Sequence, residues 1–202
     1  MVKFDKKLLT TRLKTVGPIG RMLFAWSCAE RLFPLYESFC EKTRRGRLNY
    51  LRSTLDHLWE LALSEQTGHR EPFLDDYESL IPGEDDKWTP LNPLAENAVA
   101  AVAYACQCQL DGKSESAVWA GVQSYEAVDY LAHTLEGIDF NAPQAEAMIL
   151  SKDFVQAEIE RQLRDLAELQ TAARAGGGIA HVGESFRERA KSEGMTLEKE
   201  RK

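Results

Sequence analysis

Glu30 and Arg31 stand side by side in a segment otherwise rich in apolar side chains, PIGRMLFAWSCAERLFPLYESFCEKT, residues 18–43. Glu30 follows Leu23 by seven residues and Trp26 by four, which sets its carboxylate on an apolar stripe of a helix. An unpaired charge there costs several kcal/mol, so a cationic or hydrogen-bonding partner has to reach it. Asp56 and Glu60, four apart beside Leu55 and Trp59, belong to the next predicted helix, and an antiparallel turn through RRGR at 44–47 brings both sets to one helix boundary. Two outcomes follow from that gathering. One is an internal ionic network that fixes helix register. The other is a polar pocket made by Glu30, Arg31, Asp56 and Glu60 with Tyr36 and Trp59, which receives a small ligand. No residue of the group is assigned a catalytic role.

A second set of titratable residues, Glu126, Asp129, His133 and Glu136, recurs every three or four positions. Such a stripe supplies half of a metal site, but di-iron bundles use paired E-x-x-H motifs and the chain has none. The reading is a solvated helix edge with ordinary i,i+3 and i,i+4 pairs, and no metal or cofactor is expected. Cys28 and Cys40 fall in helical apolar patterning, and Cys106 and Cys108 form C-x-C in an alanine-rich segment. Neither spacing is that of a zinc site, so all four read as small reduced hydrophobes. The sequence also lacks a phosphate loop, G-x-S-x-G, H-E-x-x-H and a dinucleotide fingerprint, which removes specific grounds for an enzyme.

The elements that must carry these residues are all helical. Residues 3–16 predict a first helix with Leu8, Leu9, Leu13 and Val16 on one side, ended by Gly17 and Pro18. The segment 18–43 has apolar residues on two opposite faces, as an interior helix does, with a kink or short break expected at Pro34. Residues 48–65 repeat leucine in helical register, and a short helix follows Pro72. Asn92 and Pro93 open an alanine-rich helix to Gly112, read as the second interior helix, and Ser114 opens another that ends at Gly137. Asn141 and Gln144 have capping-box spacing before a helical pattern that runs to Ala175 with an interruption near Ser151. Three glycines, 176–178, then mark the end of the compact domain. Residues 176–202 read as a charged tail, flexible or a loosely attached helix.

At 202 residues the chain is long enough for one domain that buries roughly 70% of its unfolded surface. Apolar and charged fractions of 44% and 28% are those of a globular domain, with no apolar run of membrane-spanning length and no secretory signal, so the expectation is a cytoplasmic protein off the membrane. A net charge of −7 argues against nucleic acid as the partner. The charge is segregated, basic in residues 1–21 and 42–52 and acidic from Glu71 to Asp86, which serves either mutual neutralisation in the fold or docking of a charged protein.

The motifs ER-x-x-P-x-Y-x-x-F (Glu30 to Phe39), LD-x-x-WE (Leu55 to Glu60) and E-x-x-IP-x-x-DD (Glu78 onward), with the alanine-rich helix ending in Gly112, resemble the YjaG-like bacterial proteins of unknown function. The resemblance extends to about residue 175 and leaves the tail outside the shared region. It implies an all-α single domain, a cytoplasmic location and a link to bacterial signalling, and it carries over no catalytic residue.

The expected object is therefore an all-α bundle of six to eight helices around two interior ones, occupying residues 1–175. Its expected role is a binding or adaptor module acting through a protein surface, with no inference about oligomeric state. The alternatives are a small-molecule binder or enzyme using the Glu30 cluster, and an acidic protein that neutralises a basic toxin.

Overall fold

The computed structural model describes residues 1–83, 87–139, 141–175 and 182–200. Among these residues the chain forms α1 (Lys6–Leu13), α2 (Pro18–Thr43), α3 (Leu48–Leu63), α4 (Phe73–Asp76), α5 (Asn92–Asp111), α6 (Ser114–Glu136), α7 (Ala145–Leu150), α8 (Asp153–Arg174) and α9 (Gly183–Glu200), with one 3-10 turn at Tyr77–Leu80 and no strand. Two of the nine α-helices are short, so the all-α bundle is that expected from helical periodicity. No helix among the described residues is long and apolar enough to cross a membrane.

Proline at the first turn starts α2, where its missing N–H would have had no helical partner. Every residue from Met22 to Leu32 is buried, because α3, α5, α6, α8 and α9 all pack against this one helix. Helix α5 is interior too. Its buried Ala95, Ala98, Ala101 and Ala105 let the neighbouring α2 and α6 come close.

Expectation and structure differ at several points. Helix α2 runs unbroken through Pro34. The proline removes a single donor, and a helix held by five neighbours absorbs that local cost of about 3 kcal/mol. Asn92 does not cap α5 from outside. It is the first helical residue, and its Oδ1 accepts from Thr89 N (3.2 Å) and Thr89 Oγ1 (2.7 Å), bracing the turn before the helix. The capping box at Asn141 is not formed either: α7 begins at Ala145 after Gln144, and no side chain caps its start.

The larger correction concerns the tail. Residues 176–181, with the three glycines, and 201–202 lie outside the described residues, but 182–200 is not loosely attached. Phe186, Ala190 and Leu197 of α9 are buried, as is Val182 before it. Gly194 explains how close α9 lies to α2: a Cβ there would sit 2.8 Å from the Arg31 carbonyl oxygen and 3.1 Å from its Cα. Its apolar residues are spaced too widely in a charged stretch for periodicity to stand out, and only the facing helix gives them a partner.

Candidate functional site

Glu30 is buried on α2 and points toward α3. Its two carboxylate oxygens each accept from Arg52, at 2.7 Å from Nη1 and 2.7 Å from Nη2. This two-pronged pair is the strong geometry for a guanidinium and a carboxylate. Arg52 also donates through Nε to Asp56 Oδ2 at 3.2 Å, and Asp56 accepts in turn from Arg187 Nη2 of α9 at 3.0 Å. Burial alone would lower the Arg52 pKa, but its hydrogen bonds to Glu30 and the charges of Glu30 and Asp56 hold it above the ordinary arginine value. The chain of charges opens outward: the Glu30 side chain is 3% exposed, Arg52 26% and Asp56 44%.

Arg31 faces the other way and is fully buried. It donates through Nε and Nη2 to the two oxygens of Glu158 (3.0 Å each) and through Nη1 to Asp165 Oδ2 (2.8 Å), both on α8. Neutral groups complete the layer. Ser124 Oγ and Gln162 Nε2 donate to Glu158 Oε1 at 2.7 and 3.0 Å, and Ser27 Oγ donates to Asp165 Oδ2 at 3.1 Å. Toward the surface Arg164 and Arg189 reach Asp165 Oδ1 at 2.9 and 3.3 Å, and Glu193 of α9 ties Arg164 at 2.7 Å.

Burial works against the charges of Arg31 and Asp165, and the opposite charges beside them overcome it. Glu158 and Asp165 hold the Arg31 guanidinium well above its usual value despite its desolvation. Arg31 and Arg164 keep Asp165 below the ordinary carboxylate range against the upward push of burial. Cys28, whose Sγ lies 3.5 Å from Arg31 Nη2, has its thiol pushed far up by burial, so it is no ready nucleophile.

The six residues singled out in the sequence thus divide. Glu30 and Asp56 gather through Arg52, Arg31 joins a separate layer, and Glu60 is exposed. Tyr36 is buried and its Oη accepts from Arg47 N at 3.0 Å, with burial pushing its pKa up to about 12. The turn can approach so closely because residue 46 is glycine at φ +84°, where a Cβ would lie 2.7 Å from Tyr36 Oη. Trp59 packs on Trp26 with ring centroids 4.8 Å apart, Arg187 lies over its ring at 5.5 Å, and its buried Nε1 has no acceptor among the described residues.

Arg52, Glu158, Asp165 and Arg187 were not found by the sequence reading. A signal existed for two of them: Glu158 and Asp165 are seven apart, with Gln162 between, on the stripe of Val155, Ile159 and Leu166, the same anomaly that singled out Glu30.

The α6 stripe holds Asp129 Oδ2 3.6 Å from His133 Nε2, and His133 Nδ1 lies 3.0 Å from Ile138 O; the Glu136 side chain is outside the described residues. Among the described residues no three His, Cys, Asp or Glu side chains are grouped to hold a metal. The basic turn and the acidic segment do meet, where Arg47 pairs with Asp76; Asp75 pairs locally with Arg70. Glu84, Asp85 and Asp86 lie outside the described residues.

Among the grooves on the described residues are ones of about 210, 310, 260 and 410 Å³, and none of these is lined by Glu30, Arg31, Tyr36, Asp56, Trp59 or Glu60.

Comparison with known proteins places this architecture. No curated protein matches the chain. A crystal structure of a DUF416 family protein from Shewanella baltica OS155 has a similar fold, with a TM-score of 0.77 over 94% of each chain at 18% identity, a likeness of fold alone. Residues 9–196 match the family described as "Protein of unknown function (DUF416)". That match reaches into α9 and corrects the expectation that the tail is an addition beyond the shared region. The chain, with α9 included in the common architecture, belongs to the DUF416 family.

Proposed function

We propose that this protein is a binding or adaptor module whose internal charges are structural and whose activity lies on its outer surface, toward a protein partner. The observation that carries this reading is an aromatic band on one flank. Trp119 of α6 is 40% exposed and stacks on Tyr104 of α5, with ring centroids 6.0 Å apart and planes at 18°. Tyr104 in turn lines a groove of about 260 Å³ with Arg70, Leu74, Tyr77 and Gln107 over a floor of Ala100 and Ala103. Lys6 Nζ sits over the Trp119 ring at 3.3 Å from its centroid. Tyrosine, tryptophan and arginine are the residues enriched at protein interfaces and at their energetic centres. Of the polar residues singled out in the sequence, Glu30, Arg31, Tyr36, Asp56 and Trp59 are, in this reading, structural, and Glu60 lies on the exposed side of α3. The finer grouping with YjaG-like proteins, the cytoplasmic location and a place in bacterial signalling belong to the same reading and rest on the motifs that carry the resemblance.

The test is affinity capture from native lysate at low salt, where charge complementarity is strongest, with wild type, Trp119→Ala and Arg70→Glu side by side. A polypeptide retained by the wild type and reduced about tenfold on both variants is the expected result. Identical capture by all three would remove this surface from the reading.

A further inference from the structure

A second groove, at the other end of α5, has a different chemistry. It has a volume of about 310 Å³ and forms where the C-terminal ends of α2 and α6 meet the start of α5. Its walls are Pro90, Leu91, Leu94, Tyr130, Leu131 and Leu135. Three of the four hydroxyls on its lining, those of the threonines, are engaged within the fold, and the fourth is the phenol of Tyr130. Thr43 Oγ1 donates to Phe39 O at 2.7 Å, Thr134 Oγ1 to Tyr130 O at 2.9 Å, and Thr89 Oγ1 to Asn92 Oδ1 at 2.7 Å. One charged side chain lines the groove, Lys42, and it forms no ion pair among the described residues. Arg44, two residues further on, is exposed and likewise forms none. Leu135, 44% exposed, and Trp88, 64% exposed and next in sequence to the groove residue Thr89, leave apolar surface at or beside the mouth.

A largely apolar trough whose threonine hydroxyls are satisfied, with an ammonium at one edge that forms no ion pair among the described residues, is complementary to a molecule with an apolar body and one anionic end. We propose that this groove binds a free medium-chain fatty acid, the acyl chain lying along Leu91, Leu94, Leu131 and Leu135 and the carboxylate at Lys42. The volume is at the small end of those that hold small organic ligands, about 300–1,000 Å³, and suits a single chain of roughly ten carbons better than a bulky ring system. Each buried methylene adds to affinity through the apolar area removed from water, and the head group fixes direction through one charge-assisted contact. This site is independent of the aromatic band and stands or falls without it.

The experiment uses the full chain and decanoate below its micellar concentration, followed by calorimetry and by backbone amide shifts. Saturable one-to-one binding is expected, with shifts confined to residues 42–43, 89–94 and 130–135. Lys42→Glu weakens it about tenfold, Lys42→Met weakens it less, and Leu135→Asp weakens it with the melting temperature unchanged. Decyltrimethylammonium, with the opposite head group, does not bind at the site. No saturable binding of decanoate, equal affinity in Lys42→Glu, or shifts elsewhere would overturn the proposal. So would binding of anionic lipid vesicles without binding of monomeric decanoate, or a dimer that Leu135→Asp dissolves.

Discussion

Glu30 and Arg31 are neighbours in the chain, about 100° apart around one helix, and they meet opposite conditions. Arg31 lies among α8 and α9 with carboxylates, hydroxyls and an amide closing around it, and its side chain is wholly out of water. Glu30 lies at the α2–α3 boundary, where a single arginine, 26% exposed, links it outward to Asp56 and so to solvent. A charge with an exit can relax when its partner is lost. Glu158, wholly buried and held two-pronged by Arg31, cannot, and the cost of stranding it is that of an uncompensated ion in a medium of low polarity.

That contrast is open to measurement. The largest effect belongs to Arg31→Met, which strips the wholly buried Glu158 of its two-pronged partner and leaves Asp165 held only from the surface side by Arg164 and Arg189. It lowers unfolding free energy in urea by about 3–5 kcal/mol, and in a Glu158→Gln background it costs markedly less, since the stranded charge is gone. A loss under about 1 kcal/mol would mean that water enters the layer. Glu30→Ala comes next, at roughly 1–3 kcal/mol, because Arg52 can turn its head group to solvent. Equal losses for the two substitutions would erase the distinction between sealed and vented charges. A few tenths for Glu30→Ala would place its carboxylate in water. The smallest effect is in acid. Asp165 titrates below its ordinary range when folded, so its contribution is complete above about pH 4 and is lost as the pH falls through the folded value. The urea midpoint therefore stays level down to about pH 4 and then declines, and the decline is shallower in Asp165→Asn. A midpoint that instead rises on acidification would mean that Asp165 is already protonated at neutral pH.

The apolar spacing of residues 18–43 alone placed α2 inside the bundle, because a helix with two apolar faces must be covered twice. It also exposed Glu30 as out of place, and further along the chain Gly112 and Gly137 set the ends of α5 and α6. The partners were beyond its reach. Which arginine meets Glu30 depends on how α3, 22 residues on, packs against α2, and that Arg31 turns to α8 while Asp56 bridges to α9 depends on helices more than a hundred residues away in the chain. Local periodicity fixes the face on which a side chain lies but not which helix will cover that face. Helix α9 shows the same limit: its apolar residues are too sparse to predict a buried helix, and the backbone of Arg31 gives Gly194 a place to rest. The spacing of apolar residues therefore determined which segments form helices and which faces are covered. The tertiary structure decided which charges face one another, because that depends on how distant helices pack.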